Sequence, residues 1–279
     1  MTGEIVYGMS FEDYKKAPGI NGSLLKIVDK SSMVHVKAAM DGKVDSTDEQ
    51  DFGKAFHALL LENRQDFVIH PDAYPGKKKE DGTDPNWNWN ANFCKEWAKG
   101  QELPILSHAE GDDLLGMVQS LRSNDRFSAH LNDSKCEVSL FAEMGGVKVK
   151  ARIDILPSHG PVIDPKSTGN AEPVKFMRLA YDLDYFMKAA FYLDVLNLCG
   201  DKREEFWLVA IEREYPYAHS ILAFKDVPIS FIEMGRIRYR NALAKLTNAI
   251  KTNKWPSYGV TEAELVASPW MLKELELSP

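Results

Sequence analysis

The chain contains 279 residues with a formal net charge of −7; 44% of the residues are hydrophobic and 27% are charged. This composition excludes a disordered protein and predicts a globular one with an ample core. The first residues carry no signal region and no run of about 18 uncharged apolar residues occurs, so we expect a cytoplasmic protein without membrane contact. The three cysteines are widely spaced and form no Cys-x-x-Cys pair, which argues against structural zinc, an iron–sulfur cluster and a disulfide framework.

The first part of the chain has mainly helical patterns. The segment Ser46-Thr47-Asp48-Glu49 matches a capping box, and apolar residues at helical spacing follow it. Residues 77–87 are rich in Lys, Gly, Pro and Asn and predict a polar loop. Two further helices are predicted, one near 88–99 and one from Ser107, as the N-cap, to about Leu121.

The second part has a mixed pattern that begins with a β-hairpin. Strands Cys136–Met144 and Val147–Leu156 flank a Gly145-Gly146 turn. The remaining predicted elements are a short strand at 161–167, helices near 172–181 and 184–199, strands at about 205–213 and 217–224, and a long helix from Pro228 to about Lys251. We therefore expect an α/β fold in one domain, residues 1–279. It would comprise a mainly helical wall at 1–130, a catalytic core at 131–260 and a C-terminal tail at 261–279.

The second hairpin strand alternates strictly between apolar and polar residues. Alternation predicts that Val147, Val149, Ala151, Ile153 and Ile155 face one way and that Lys148, Lys150, Arg152 and Asp154 face the other. Further cations follow in the chain at Lys166, Lys175, Arg178 and Lys188. In a protein of negative net charge, DNA would enter only a cleft whose lysines and arginines create a local positive electrostatic potential. The negative net charge therefore does not exclude a nucleic-acid partner.

The segment Val162–Thr168 carries the most informative pattern. In an extended strand Asp164 and Lys166 project from one face, while Ile163 and Pro165 point to the other. Since proline cannot donate to a ladder, Pro165 indicates a strand edge, a strand end or a bulge. Asp154 ends the preceding strand, so the two carboxylates can meet. Together they could hold a hard cation, with Lys166 positioning a water, as phosphodiester hydrolysis requires.

Each of these residues also has a simpler interpretation. The Asp164-Pro165 pair alone fits a turn, and His57, off the apolar stripe of its helix, fits a structural or solvated histidine. Lys188 and Tyr192 share a helix face and could clamp a phosphate, or they could form an ordinary helix surface. Glu137 lies on the hairpin face of Ser139, where it is either near the site or exposed to solvent.

Several segments in this order resemble the nuclease domain of RecE, exonuclease VIII, a PD-(D/E)XK nuclease found in phages and prophages. The segments that carry the resemblance are Met9–Tyr14 with Pro18–Ile20, Asp51–Glu62, Ala151–Asp154, Asp164–Thr168, Val209–Tyr217 and Trp255–Gly259. They are spread over most of the chain. The resemblance implies a mixed central sheet flanked by helices, with an N-terminal helical region.

The resemblance also implies roles for particular residues. His57, Asp154 and Asp164 would bind one or two Mg²⁺ ions, which Mn²⁺ would replace, with the Pro165 carbonyl as a further ligand and Lys166 activating the water. The family's Gln-x-x-x-Tyr element falls on the 184–199 helix, where Tyr192 fits and Lys188 replaces the glutamine. An ammonium only donates and adds charge, so this departure alters how the site holds a phosphate.

The expected activity is Mg²⁺-dependent exonuclease digestion of double-stranded DNA ends, 5′ to 3′, which leaves 3′ single-stranded tails for recombination. Lys148, Lys150 and Arg152 would guide the DNA backbone. By the same resemblance, a homo-oligomeric ring (trimer or tetramer) and a single-strand annealing protein are the expected partners. Two alternatives stay open: a RecB-like endonuclease, whose iron–sulfur variety the missing cysteine quartet disfavours, and a non-catalytic DNA-binding protein of this fold.

Overall fold

The computed structural model of the chain describes residues 3–42, 48–259 and 262. The helices are α1 (Phe11–Lys16), α2 (Gly22–Lys30), α3 (Met33–Met40), α4 (Asp48–Glu62), α5 (Asn92–Lys99), α6 (His108–Arg122), α7 (Asp125–Asn132), α8 (Pro173–Asp182), α9 (Tyr185–Leu198) and α10 (Phe231–Thr252). The strands are β1 (Gly3–Val6), β2 (Val68–Ile69), β3 (Ile105–Leu106), β4 (Ser134–Met144), β5 (Val147–Pro157), β6 (Val162–Thr168), β7 (Glu205–Glu212) and β8 (His219–Lys225).

The centre of the molecule is a mixed six-stranded sheet with the order β1-β4-β5-β6-β7-β8. Strands β6 and β7 are parallel, and the other neighbours are antiparallel. The predicted hairpin is confirmed, with Met144 opposite Val147 across the Gly145-Gly146 turn. The short strands β2 and β3 form a separate parallel pair.

Helices cover both faces of this sheet and create two apolar cores. On β7, Phe206, Leu208 and Ala210 pack into a first core with α2, α3, α8, α9 and α10, whereas the alternate residues Trp207, Val209 and Ile211 pack into a second core with α4, α6 and α7. A strand buried on both faces requires a continuous apolar run, which β7 has. The fold is therefore the α/β arrangement that the sequence predicts, a mixed sheet flanked by helices.

The predicted helices are confirmed, with shifted ends. The Ser107 hydroxyl accepts from the Glu110 amide while the Glu110 carboxylate accepts from the Ser107 amide, so a full capping box starts α6 where the sequence predicts it. Helix α5 begins later than predicted because the Asn88 side chain accepts from the Asn90 backbone and forms a turn there. The capping box predicted at 46–49 lies outside the described side chains. No described helix is both long and apolar enough to cross a membrane.

Strand alternation was predicted to continue along all of β5, and this is wrong at its second half. Ile153 packs into the first core, but Ile155 packs into the second. The partner strand changes face at the same level, since Val138 lies in the first core and Cys136 contacts the second. Between them Glu137 has a positive φ of 54°, which costs a non-glycine residue roughly 1–3 kcal/mol. The hairpin thus rotates about its own axis at the level of Asp154.

Strand β6 lies inside the sheet, so an edge position for Pro165 is excluded. Every residue of β6 pairs with β7, from Val162↔Phe206 to Thr168↔Glu212. Towards β5, however, the described pairing consists of Ile155↔Ile163, one residue before Asp164. Because Pro165 has no N–H, it cannot extend that ladder. The two strands consequently leave a fork, open between Asp154 and Asp164.

Candidate active site

Three carboxylates lie in a row across neighbouring strands at this fork. The pairs Cys136↔Ile155 and Val138↔Ile153 enclose Glu137 and Asp154, which puts these two acids opposite each other. Extending the β5–β6 register by one residue puts Asp164 opposite Asp154 on the other side. Residues directly opposite have Cβ atoms about 4.5–5.5 Å apart, where like charges repel. Such a row requires cations between the acids.

One part of the site, the lysine side, consists of Asp164, Lys166 and Lys188. Asp164 Oδ1 accepts from Lys166 Nζ at 2.7 Å and from Lys188 Nζ, on α9, at 2.9 Å. Asp164 and Lys166 therefore share a face, as predicted. Burial would raise the pKa of Asp164, but the two ammonium groups hold it well below its usual value. Burial would lower the pKa of Lys188, but Asp154 and Asp164 raise it well above its usual value.

The other part, the histidine side, consists of His57, Glu137 and Asp154. Helix α4 brings His57 to the fork from the second core, and its Nε2 lies 3.0 Å from the Pro165 carbonyl oxygen. Since a carbonyl only accepts, Nε2 carries the proton and Nδ1, 3.8 Å from Asp154 Oδ2, carries the lone pair. Burial lowers the pKa of His57 to about 4, and Lys166 acts in the same direction. The imidazole is thus neutral, as a metal ligand must be.

The donor set on the histidine side fits a divalent cation. One ligand atom each from His57, Glu137 and Asp154 lies within 4.8 Å of the others. Asp154 Oδ2 and Asp164 Oδ2 are both buried, and when both carboxylates are ionised neither atom has a hydrogen-bond partner. A buried unpartnered carboxylate oxygen is costly, and a hard cation satisfies such oxygens best. His57, Asp154 and Asp164 would hold the ion, with Glu137 close enough to join them.

The pKa of Asp154 is shifted in the opposite direction from that of Asp164. Burial raises the pKa of Asp154 well above its usual value; the nearby Lys188 opposes this shift, and the charge of Asp164 adds to it. The nearest amines, Lys166 and Lys188, stand 3.7 Å and 4.0 Å from Asp154 Oδ2, too far to form hydrogen bonds. Without metal, a proton on Asp154 therefore relieves the repulsion between the two aspartates.

Tyr192 lies one helical turn beyond Lys188 on α9, as predicted. The Lys188 ammonium stands 4.9 Å from the Tyr192 ring centroid, within the range of a cation–π contact. Burial raises the pKa of Tyr192 to about 12, so its hydroxyl stays protonated and can donate. Together these two residues form the wall of the site on the side of the first core.

The three predicted DNA-guiding cations occupy different environments. Lys148 is exposed. Lys150 is 5% exposed, and its ammonium donates to the backbone carbonyls of Tyr14, Lys15 and Ala17. Burial lowers the pKa of this ammonium. Its position inside the fold does not allow the predicted contact with a DNA backbone; Lys150 instead fixes the N-terminal segment against β5.

Arg152 is also held internally. Its guanidinium donates to the Glu137 carboxylate, the Met9 carbonyl and the Ser139 hydroxyl. Its side chain is 10% exposed, so it orients Glu137 in the site and has little surface for DNA. The sequence prediction grouped Arg152 with Lys148 because both lie on the polar face of one strand. Residues 9–20 cover that face instead.

Glu137 is the residue whose position sequence reasoning left open. The signal was present: a two-residue Gly145-Gly146 turn with Met144 opposite Val147 fixes the register, and counting back along it puts Glu137 opposite Asp154. The positive φ of Glu137 and the change of face on both strands had no such signal, because both arise from tertiary packing.

Comparison with known proteins gives the family. Residues 22–268 match the model of the PDDEXK-like domain of unknown function (DUF3799), so the chain belongs to this family. The residues that meet at the fork, Asp154, Asp164 and Lys166, follow one another in the order and spacing that the letters PD-(D/E)XK describe, Asp followed by Asp-x-Lys. The expected PD-(D/E)XK nuclease fold is confirmed by this match and by the sheet described above. No curated protein matches the chain significantly.

Solved structures agree with the family on the fold. A crystal structure of a protein from Eubacterium rectale, described as a candidate exonuclease, superposes with a TM-score of 0.66 over 98% of this chain and 100% of its own, at 11% identity. At that identity the likeness establishes the fold alone. The structure of a protein named SSO0001 covers 50% of this chain and 59% of its own at 21% identity, with a TM-score of 0.30, too low to support an argument.

Proposed function

We propose that this chain is a Mg²⁺-dependent exodeoxyribonuclease that degrades linear double-stranded DNA, with Mn²⁺ as a substitute. The observation that carries the proposal is the fork itself. Two aspartates with buried, unpartnered oxygens and a neutral histidine converge beside a lysine that is hydrogen-bonded to one of them. Membership of a PDDEXK-like family supports a nuclease at this position.

Each group of residues at the fork has its own role in hydrolysis. Lys166 Nζ is fixed by Asp164 Oδ1 at 2.7 Å and by the Pro165 carbonyl at 3.3 Å, so its remaining proton can orient a water for attack on phosphorus. Lys188 and Tyr192, adjacent on α9, would donate to a phosphoryl oxygen. A divalent cation held by Asp154, Asp164 and His57 would neutralise the charge that develops on the phosphoryl oxygens.

The finer parts of the proposal rest on resemblance. The RecE-like segments and the description of the Eubacterium rectale protein as a candidate exonuclease support attack at DNA ends. The RecE-like segments alone support 5′ to 3′ polarity, 3′ single-stranded tails for recombination, a ring of three or four copies and a single-strand annealing partner. Among the three predicted DNA-guiding cations, the exposure of Lys148 makes it the one best placed to contact DNA.

The experiment compares linear and covalently closed forms of one plasmid, incubated with the purified chain and Mg²⁺. We expect the linear form to be degraded and the closed form to survive, with EDTA and Asp164→Asn each stopping the reaction. Labelling the linear DNA at its 5′ or its 3′ ends reports the polarity, because the label at the end where digestion begins is released first.

The matched control is Glu102→Gln, which removes an exposed acid from the connection between α5 and β3. It should leave degradation unchanged. Cutting of the closed plasmid would identify an endonuclease and reject the exonuclease proposal. Binding of DNA without Mg²⁺-dependent turnover, at full occupancy of the metal, would reject catalysis and favour a DNA-binding protein of this fold.

A further inference from the structure

The Lys188 ammonium lies between the two aspartates of the site, where a second cation would also have to bind. Its Nζ lies 2.9 Å from Asp164 Oδ1 and 4.0 Å from Asp154 Oδ2, so one ammonium faces both aspartates. Lys166 faces the same two carboxylates, at 2.7 Å and 3.7 Å. Asp164 Oδ1 therefore already has two cationic partners before any metal enters.

The position of Lys188 is fixed by its surroundings. Its neighbours Met187, Ala189 and Ala190 are buried in the first core, which fixes the helix beneath it. The Lys188 ammonium lies 4.9 Å from the Tyr192 ring centroid, and its side chain is 26% exposed. A long flexible amine at a surface could turn away to make room for an ion, whereas this one is restrained by the helix and the ring.

With Asp154 ionised, as a metal ligand must be, the charges of the site's own side chains balance. Three carboxylates, of Glu137, Asp154 and Asp164, then meet three cations, of Arg152, Lys166 and Lys188. Each divalent ion that enters thus adds its full charge to the site. A neutral residue at position 188 would leave one negative charge uncompensated and would remove one of the two ammonium groups that donate to Asp164 Oδ1.

We infer, on the basis of the proposed function, that the Lys188 ammonium takes the place of a second divalent ion, so that this site binds one metal per chain. The first ion binds on the histidine side, where His57 and Asp154 have free ligand atoms. A second ion on the lysine side would need the Asp164 oxygen that Lys188 and Lys166 share, at a distance where its charge repels both ammonium groups.

The test is the metal stoichiometry of the full chain, measured without substrate. Metal-stripped protein is titrated with Mn²⁺, and binding is followed by calorimetry and by the electron paramagnetic resonance signal of free Mn²⁺. We expect one Mn²⁺ per wild-type chain and two per chain for Lys188→Gln and for Lys188→Met, which both remove the charge. Lys188→Arg keeps the charge and should bind one.

Lys245→Gln is the matched control, since Lys245 is an exposed lysine of α10, outside the fork, and it should bind one ion. Thermal unfolding checks that each variant is folded. Two ions on the wild-type chain, or one on both Lys188→Gln and Lys188→Met, would overturn the inference and leave the nuclease proposal intact. A gain in Lys188→Gln alone would also overturn it, since the amide oxygen would then be the cause. Failure of the wild type to bind any Mn²⁺ would reject both proposals.

Discussion

The histidine side and the lysine side of the site each contain an aspartate, and the pKa values of these two aspartates are shifted in opposite directions. Asp154 and Asp164 face each other from neighbouring strands, and both are buried. Yet the pKa of Asp154 is raised well above its usual value, mainly by burial, while the amines of Lys166 and Lys188 overcome burial and hold that of Asp164 well below it. The two aspartate side chains thus take different roles because their neighbouring groups differ.

The difference follows from where the sheet opens. The first core supplies α9 and with it Lys188, which reaches Asp164 from one face, whereas the second core supplies α4 and His57, which reaches the fork from the other. An amine neutralises an aspartate without metal, but a neutral imidazole cannot. The lysine side is therefore preformed, and under the proposed function an ion would complete the histidine side.

The first prediction distinguishes the two aspartates by their effect on stability. In EDTA at pH 7, we expect Asp164→Asn to lower the free energy of unfolding by about 3 kcal/mol, because two part-buried ammonium groups lose their shared partner. Asp154→Asn should not lower it, because asparagine replaces an acid whose ionisation burial opposes. Denaturant unfolding of both variants measures the difference.

Both variants should lose metal binding and turnover, so the stability contrast is the informative result. Glu102→Gln is the control, since its exposed acid has no role in the site. Equal losses of stability in Asp154→Asn and Asp164→Asn would mean that the histidine side and the lysine side are electrostatically alike.

A second prediction separates water activation from metal binding. Lys166→Met should leave the Mn²⁺ affinity within a few-fold of the wild type and reduce turnover on the order of 10²–10⁴-fold, the range for loss of a proton-transfer or positioning group. His57→Asn should do the reverse at low metal, weakening Mn²⁺ binding while excess metal restores part of the rate. Single-turnover digestion at saturating Mn²⁺ gives the rates, and calorimetry gives the affinities. A wild-type rate in Lys166→Met would remove Lys166 from the mechanism.

A third prediction uses pH. Because the pKa of Asp154 is raised, the metal-free chain keeps a proton there that the ion must displace. Above about pH 5, His57 is already neutral and Asp164 already ionised. The Mn²⁺ affinity should therefore rise about tenfold per pH unit until Asp154 ionises and then level off. Calorimetry in two buffers of different ionisation enthalpy should show one proton released per ion in the rising range; release of none would contradict the assignment.

The same shifts predict opposite stability effects in the metal-free chain. The contribution of Asp164 is present above its unfolded pKa and is lost as pH falls through the lower folded value. The contribution of Asp154 runs the other way: the folded chain is favoured while the proton is held and loses stability as pH rises from the unfolded to the folded pKa. Unfolding of Asp154→Asn across this range should lack the second effect.

Much of this site could be predicted from sequence because it depends on local pattern. Alternation puts Asp164 and Lys166 on one face, helical spacing puts Lys188 and Tyr192 on another, and the glycine turn fixes the register of the hairpin. Two features could not be predicted. The hairpin rotates at Glu137 because its two halves pack into different cores, and the N-terminal segment covers Lys150 and Arg152. Both depend on contacts between residues more than a hundred positions apart or on opposite sheet faces.

The last prediction compares two lysines of β5, the exposed Lys148 and Lys150, which the N-terminal segment covers. Lys148→Gln should weaken DNA binding less than tenfold and reduce its salt dependence by about one counterion, since an exposed lysine contributes one phosphate contact. Lys150→Met should leave the salt dependence unchanged and lower the free energy of unfolding by about 1–3 kcal/mol, because three backbone carbonyls lose their donor. DNA binding at several salt concentrations, with unfolding on the same samples, measures both. A changed salt dependence in Lys150→Met would mean that the N-terminal segment leaves β5 when DNA binds, and that Lys150 then contacts a DNA phosphate.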